Sequence, residues 1–301
     1  MMLKQTVAGA FAVFALTSAG HAADMQPVLK APAAVDQQAT GYVEVYTGWA
    51  RTTLDFGYGD ERFNGWALGG AGRGNYWLNN GMSVQVDAQA EGTSYEIANG
   101  HRSAQSYLVG SHLSWRNPQQ SLYGVFGGAG DAGDQRHGLI GAEAQWYWNQ
   151  FTLYGQGGYD STLGTVGGNI DSENAWFLRG VGRYYINPNF LVEGTVMYAN
   201  GSIDFIHGQS QDFQTWSWGV KGEWRLATAP FSLFAKYQGS ELKYDDVDFK
   251  VTDHRVLLGL KLHLGDRTLQ QTDRAGATLD IVSPLANPTG PLMPVPLPAL
   301  R

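Results

Sequence analysis

Hydrophobic and polar residues alternate along most of the chain between Gly41 and Gly265. In Met82–Glu91, for example, Met, Val and Ala residues occupy every second position, and Ser, Gln, Asp and Glu residues occupy the positions between them. Successive side chains of a β-strand point to opposite faces of a sheet. This period of two therefore predicts strands that each have one apolar and one polar face.

The alternating pattern recurs in twelve segments that are separated by turns. The connections after the second, fourth, sixth, eighth and tenth segments are tight and contain Asn, Gly or Pro, whereas the other six are longer and polar. An even number of strands with alternating short and long connections predicts an all-β fold, a closed antiparallel up-and-down transmembrane β-barrel of about 12 strands. The segments lie near 42–51, 63–78, 82–93, 102–116, 121–130, 138–148, 151–160, 175–186, 190–200, 213–226, 231–241 and 252–264.

Large aromatic residues fall on the apolar faces near the ends of these segments, whereas charged residues fall on the polar faces at mid-strand. Trp and Tyr are typical of the interface between membrane and water, where the ring lies in lipid and the polar tip near the headgroups. An apolar exterior around a charged interior favours an outer-membrane barrel over a soluble sandwich. The aromatic set is Trp49, Trp66, Tyr76, Trp115, Trp146, Trp148, Trp176, Tyr184, Trp216 and Trp224.

The composition excludes several other classes of protein. The chain of 301 residues has 40 Gly, 13 % aromatic residues, only 16 % charged residues and no Cys. The lack of Cys excludes disulfides, thiolate metal sites and a Cys nucleophile. A net charge of −7 disfavours nucleic acid as a partner. We expect no metal and no cofactor.

The two ends of the chain have different compositions from the barrel. Residues 1–22 are typical of a signal peptide, with Lys4 before the apolar run Val7–Leu16 and Ala22 near the cleavage site. Residues 23–40 are expected to be a flexible periplasmic leader, 41–265 the barrel, and 266–301 a disordered periplasmic tail rich in proline. A periplasmic protein or the cell wall is the candidate partner of the tail, and a plug inside the lumen is the other alternative.

The stretch Ala22–Pro32 (AADMQPVLKAP) resembles the mature start of outer-membrane β-barrel proteins, loosely called porins, of rhizobial-type alphaproteobacteria. This resemblance implies a Gram-negative outer membrane, and outer-membrane lipids and lipopolysaccharide as partners. Barrels of this kind usually end in a strand with a C-terminal aromatic residue. Here the last predicted strand ends at Leu264 and is followed by the tail.

The charges on the inward faces divide into two walls. Opposed charged walls set up a transverse field that orients polar solutes in a narrow pore. The residues of the acidic wall are Glu44, Asp87, Glu91, Glu143 and Asp160, and those of the basic wall are Arg179, Arg183, Lys221, Arg225, Lys236, Arg255 and Lys261. We therefore expect a porin-like channel for passive diffusion of small polar solutes. The alternative is a non-conducting structural barrel whose lumen is filled by ion pairs.

Inward-facing glycines favour the open pore, because they leave space in the lumen. They are Gly48, Gly69, Gly110, Gly141, Gly158, Gly219 and Gly259. No catalytic group is expected. Asp253 and His254 are adjacent and so point to opposite faces of their strand. The pairs Asp134 with His137 and Asp204 with His207 lie in loops and are interpreted as solvated.

Overall fold

The computed structural model describes residues 39–57, 59–79, 81–97, 100–132, 135–165, 170–205, 210–245, 248–265, 268–282 and 284. The predicted signal peptide, residues 23–38 of the predicted leader and the proline-rich stretch 285–301 lie outside the described residues.

Twelve antiparallel strands close into a barrel, in which each strand pairs with its neighbours in sequence and β1 pairs with β12. The predicted fold class is confirmed. The strands are β1 (Ala39–Asp55), β2 (Asp60–Trp77), β3 (Met82–Ile97), β4 (Gly100–Asn117), β5 (Ser121–Ala132), β6 (Gln135–Trp148), β7 (Phe151–Thr165), β8 (Ile170–Asn187), β9 (Phe190–Phe205), β10 (Ser210–Arg225), β11 (Phe231–Tyr244) and β12 (Lys250–Leu264). A helix, α1 (Leu269–Ala275), follows β12.

The exterior of the barrel is apolar and the interior is polar, as the alternation predicts. Leu68, Ile140 and Leu258 each expose more than 60 % of their surface, whereas Asp160 and Gln145 on inward faces are fully buried. Nine of the ten aromatic residues assigned to the apolar faces are exposed, and the tenth, Trp49, is half-buried. An exposed band of this kind is what a β-barrel presents to lipid.

The six connections predicted to be long are shorter than expected, because the strands continue into them. The connection between β1 and β2, predicted over residues 52–62, is reduced to residues 56–59, and that between β7 and β8 to residues 166–169. The ladder is built from backbone hydrogen bonds, so it continues where both faces of a strand are polar. Side-chain alternation therefore underestimates the length of the strands.

Asparagine organises the tight turns, as the sequence predicts. The Asn79 side chain accepts hydrogen bonds from the Gly81 and Met82 amides, and the Asn117 and Asn187 side chains each accept one from the amide two residues later. Asn149, between β6 and β7, has a φ of +45°. Asn tolerates this left-handed conformation better than other residues that have a Cβ.

The prediction that inward-facing glycines leave open space is wrong at four positions. An aromatic ring on the neighbouring strand lies directly opposite each glycine: Tyr46 opposite Gly69, Phe126 opposite Gly141, Phe177 opposite Gly158, and Phe234 opposite Gly259. A Cβ placed on any of these glycines would lie closer than 3.0 Å to a ring atom. The glycines therefore make room for rings, which occupy part of the lumen.

Part of the segment predicted to be a disordered tail is folded. Residues 268–282, called the C-terminal segment below, contain α1 and an extended stretch in which Leu279 and Ile281 are almost fully buried. For these residues the prediction of disorder is wrong, because the barrel supplies hydrogen-bond and ion-pair partners that the segment alone lacks. Of the helices in the described part of the chain, none is long and apolar enough to cross a membrane.

Candidate functional site: the barrel lumen

Helix α1 lies at the end of the barrel where the short turns are. The Thr268 hydroxyl accepts a hydrogen bond from the Gln271 amide and caps the helix. The Gln270 amide donates to the Pro188 carbonyl, and the Arg274 side chain donates to the Asn149 carbonyl. Contacts with two separate turns hold α1 at this mouth of the lumen.

The residues after α1 run inward and are held mainly through their backbone. Arg116 donates to the Gly276 carbonyl (2.6 Å), Gln85 to the Leu279 carbonyl (2.7 Å) and Gln156 to the Asp280 carbonyl (2.7 Å). The Gln85 side chain also accepts from the Leu279 amide at 3.2 Å. Because buried peptide groups need partners, these inward-facing polar side chains are what allows an extended strand-like segment inside the lumen.

Two carboxylates anchor the C-terminal segment to arginines of β8. Arg183 contacts the Asp273 carboxylate at 2.6 Å, and both terminal nitrogens of Arg179 contact the Asp280 carboxylate at 2.8 Å. Asp280 does not belong to a membrane-spanning strand. Burial alone would raise its pKa, but Arg179 and Arg73 outweigh burial and hold the pKa of Asp280 well below its usual range.

Apolar contacts complete this docking. Gly110 of β4 and Gly128 of β5 lie opposite one another in register. The Ile281 side chain fills the notch between them, so that a Cβ on Gly110 would overlap Ile281 and a Cβ on Gly128 would lie 2.7 Å from it. Leu279 packs in a second cluster with Leu122 and Tyr154. The notch serves the C-terminal segment, and the prediction that Gly110 leaves open space is also wrong.

All twelve residues assigned to the two walls lie on the inward side of the barrel. Most of the wall residues that form an ion pair within the described structure are paired with a residue on another strand. Lys261 lies 3.3 Å from Glu44 and 2.9 Å from Glu223, Lys221 lies 3.8 Å from Glu193, and Arg255 contacts Glu91. Asp160 lies 3.9 Å from His137, and Arg225 is buried. Opposite charges in the lumen are thus largely matched by direct partners.

The sequence does not identify the side chains that contact the carboxylates of the acidic wall. His112 lies between two carboxylates, 2.7 Å from Glu143 and 3.2 Å from Asp87, and is fully buried. Tyr154 donates to Glu143 at 2.7 Å, and the Ile281 amide donates to Asp87 at 3.2 Å. The inward position of His112 follows from the alternation, but its partners lie on β3 and β6, and alternation does not show which inward residues of different strands meet. Within the described residues, no group of His, Asp and Glu side chains forms a metal site.

A cavity remains beside the C-terminal segment, along β1–β3 and β8–β12. The space between its lining residues, counted together with open solvent, is about 1430 Å³. Six of the twelve wall residues line it, whereas Asp87, Glu91, Glu143, Asp160, Arg225 and Arg255 do not. The lining residues of the predicted walls are Glu44, Arg179, Arg183, Lys221, Lys236 and Lys261. The lumen therefore has a filled side and a side with polar free space.

No family model matches the chain, and no curated protein matches its sequence. Among solved structures, the chain is similar to the COG4313 outer membrane channel from Pseudomonas putida F1, with a TM-score of 0.59 and 12 % identity over 77 % of this chain and 97 % of that one. A Pseudomonas aeruginosa FadL homologue is less similar, with a TM-score of 0.42 and 9 % identity over 76 % of this chain and 90 % of that one. The KdgM porin in complex with disordered oligogalacturonate has a TM-score of 0.41 and 6 % identity over 73 % of this chain and 98 % of that one.

The likeness to the Pseudomonas putida structure shows a shared fold. A closed barrel of twelve strands with an apolar, aromatic-rich exterior is a transmembrane β-barrel of the bacterial outer membrane. The predicted localisation is confirmed. The Pseudomonas putida protein is described as an outer membrane channel.

Proposed function

We propose that this protein is an outer-membrane channel for the passive diffusion of small polar solutes, whose lumen is narrowed by its own C-terminal segment. The observation that carries this proposal is the polar cavity beside that segment, which is lined by six cationic and five anionic side chains. A barrel that serves only as a structural element has no need of free space with matched charges. A narrow aqueous path with charged groups is the usual device for passing polar solutes.

The C-terminal segment is proposed to set the size of the path. It occupies the lumen beside β3–β8 and leaves space free along β1, β2 and β9–β12. Larger barrels of sixteen or more strands leave an aqueous channel, whereas eight-stranded barrels are filled by their own side chains. A barrel of twelve strands lies between these cases, and a segment inside its lumen reduces the diameter of the pore.

We propose no enzymatic activity. Asp253 is buried inside the barrel, where it accepts a hydrogen bond from Thr52, whereas His254 stacks on the exposed Tyr237. A carboxylate and an imidazole on opposite faces of one strand cannot work as an acid–base pair. In the other two pairs, Asp134 and His207 lie outside the described residues.

The partners and the family relationship remain proposals. Outer-membrane lipids and lipopolysaccharide would contact the exposed apolar band. A relationship to porins of rhizobial-type alphaproteobacteria rests on the sequence Ala22–Pro32. A periplasmic or cell-wall partner for the proline-rich stretch rests on composition alone.

The experiment is planar-bilayer conductance of the full chain and of the double variant Asp273→Asn/Asp280→Asn. The double variant removes both ionic anchors of the C-terminal segment and leaves every strand unchanged. We expect small conductance steps in the parent and larger steps in the double variant. Asp60→Asn, at an exposed ion pair with Arg62, is the control and should match the parent. If neither the parent nor the double variant conducts, the barrel is a sealed structural element and the proposal fails.

A further inference from the structure

One cation in the cavity lacks a carboxylate partner. The cavity is lined by Arg73, Arg179, Arg183, Lys221, Lys236 and Lys261 and by Glu44, Glu193, Glu223, Asp273 and Asp280. Five of the cations lie within 4.0 Å of a carboxylate. For Lys236, the described residues provide no such carboxylate. Lys236 is therefore the one cation of this lining that has no carboxylate within 4.0 Å among the described residues.

The neighbouring strand does not compensate this charge. Lys221 of β10 lies directly opposite Lys236 of β11 in the sheet register. Lys221 itself is paired with carboxylates, and lies 3.8 Å from Glu193 and 3.3 Å from Glu223. Like charges on directly opposed positions repel one another. An anion that binds beside Lys236 would relieve this repulsion.

Polar atoms without partners occupy the same wall. Thr195, Ser217 and Gln238 belong to the cavity lining, and their side-chain oxygens Oγ1, Oγ and Oε1 are buried and form no hydrogen bond within the described part of the chain. Ser217 and Gln238 are each more than nine-tenths buried. A buried polar group without a partner costs about 1–3 kcal/mol, so such groups mark a place where a water molecule or a ligand is missing.

Gly219 separates two of these groups and keeps the wall open. It lies between Thr195 of β9 and Gln238 of β11 in the register. No aromatic ring covers it, in contrast to Gly69, Gly141, Gly158 and Gly259. The wall therefore has a shallow recess at Gly219, where a Cβ would lie 3.6 Å from the Gln238 side chain and 3.7 Å from the Thr195 side chain, and Lys236 is two residues from Gln238 on β11.

We propose that this recess is a binding site for small hydroxylated carboxylates. The Lys236 ammonium would bind the carboxylate, and the groups of Thr195, Ser217 and Gln238 would bind hydroxyl groups of the solute. The Gln238 carbonyl oxygen needs a hydrogen-bond donor, which a halide cannot supply and an alcohol can. The inference rests on the proposed function, because it names the solute class that the same cavity would favour.

The test is isothermal titration calorimetry of the full chain in detergent micelles with sodium gluconate, sodium acetate and sorbitol. Gluconate carries both a carboxylate and hydroxyl groups, acetate only the carboxylate, and sorbitol only hydroxyl groups. We expect gluconate to bind more tightly than acetate or sorbitol. Equal dissociation constants for all three compounds, or no binding of gluconate, would overturn the proposal.

Three variants locate the site. Lys236→Gln should weaken gluconate binding at least about tenfold, because a hydrogen bond to a charged group is lost. Gln238→Leu should weaken the binding of gluconate but not that of acetate. Lys243→Gln, on the same strand with its side chain 60 % exposed, removes the same charge and should leave binding unchanged. Equal losses for Lys236→Gln and Lys243→Gln would show an unspecific charge effect and refute the site.

Equilibrium binding separates this inference from the channel proposal. Gluconate binding without conductance would leave the site standing in a sealed barrel. Conductance steps that gluconate does not interrupt, together with no heat of binding, would leave a channel without this site and overturn the inference alone.

Discussion

Arg179 donates two hydrogen bonds of 2.8 Å to the Asp280 carboxylate and so joins β8 to the C-terminal segment. Paired donors of a guanidinium fix both the distance and the orientation of a carboxylate. Arg179 also donates to Gln156, whose own amide holds the Asp280 carbonyl. The side chain and the backbone of one aspartate are therefore fixed by two adjacent strands.

Asp280→Asn should loosen the C-terminal segment. Hydrogen bonds to charged groups contribute about 1.5–3 kcal/mol, so the population of the released segment should rise about 10- to 100-fold. Trypsin cleavage after Arg274, followed by mass spectrometry, measures this population. Asp60→Asn breaks an exposed ion pair of small energy and serves as the control. Cleavage of Asp280→Asn at the parent rate would mean that the pair does not hold the segment.

Gly110→Ala should expel Ile281 from its notch, because the added methyl group occupies the position of the Ile281 side chain. Overpacking of this kind costs about 1–3 kcal/mol. We expect larger conductance steps and faster cleavage after Arg274. Gly180→Ala, where the nearest atom to the new Cβ is 3.9 Å away, should behave like the parent.

Ile281→Gly removes the same contact from the other side and leaves the barrel wall intact. It should also release the segment. If Gly110→Ala has an effect and Ile281→Gly has none, the effect comes from distortion of β4 and not from loss of docking.

The docking should persist on mild acidification. The pKa of Asp280 is lower when docked than in the free segment, so its stabilising effect is fully present above the free value of about 3.9 and is lost as the pH falls through the lower docked value. Trypsin is unsuitable at low pH, so conductance at about pH 7 and about pH 5 is compared. We expect the same step size at both values. Larger steps at about pH 5 would contradict an ionised, docked Asp280.

Glu223 and Lys221 should have opposite effects on ion selectivity. Glu223 accepts from Ser232 at 2.7 Å and lies within 3.3 Å of both Lys221 and Lys261. Glu223→Gln removes a negative charge from the cavity and should shift the reversal potential in a KCl gradient toward anions. Lys221→Gln should shift it toward cations. Shifts of the same sign, or none, would mean that current does not pass through this cavity.

The sequence predicts the twelve strands, their order and the inward or outward direction of their side chains. It does so because the alternation of Cβ directions is a local property of the backbone. From the sequence, the docked C-terminal segment is predicted only as the alternative of a plug inside the lumen, because the barrel binds it largely through carbonyl groups, such as those of Ala275, Gly276 and Leu279. Every residue has a carbonyl group, so a segment that is bound through its carbonyl groups needs no particular pattern of side chains. The one available signal is Leu279, Asp280 and Ile281, whose period of two continues that of the strands.

The partners of the charged residues also escape prediction, for a related reason. Arg255 and Glu91 are separated by 164 positions in sequence and meet across the lumen. Alternation places both side chains inside the barrel but does not determine which inward residues contact each other. These contacts depend on how the closed barrel brings the strands together.

The glycine and ring pairs have a consequence for assembly. A ring such as Phe126 fits only where its neighbour across the ladder is Gly141, and a shift of one residue would place it against Ala142 or Ile140. The other three pairs join β1 to β2, β7 to β8 and β11 to β12, so they are distributed around the barrel. Each pair rejects misaligned strands during folding. The four pairs thus favour a single strand register around the barrel, whereas the alternating pattern alone is compatible with several registers.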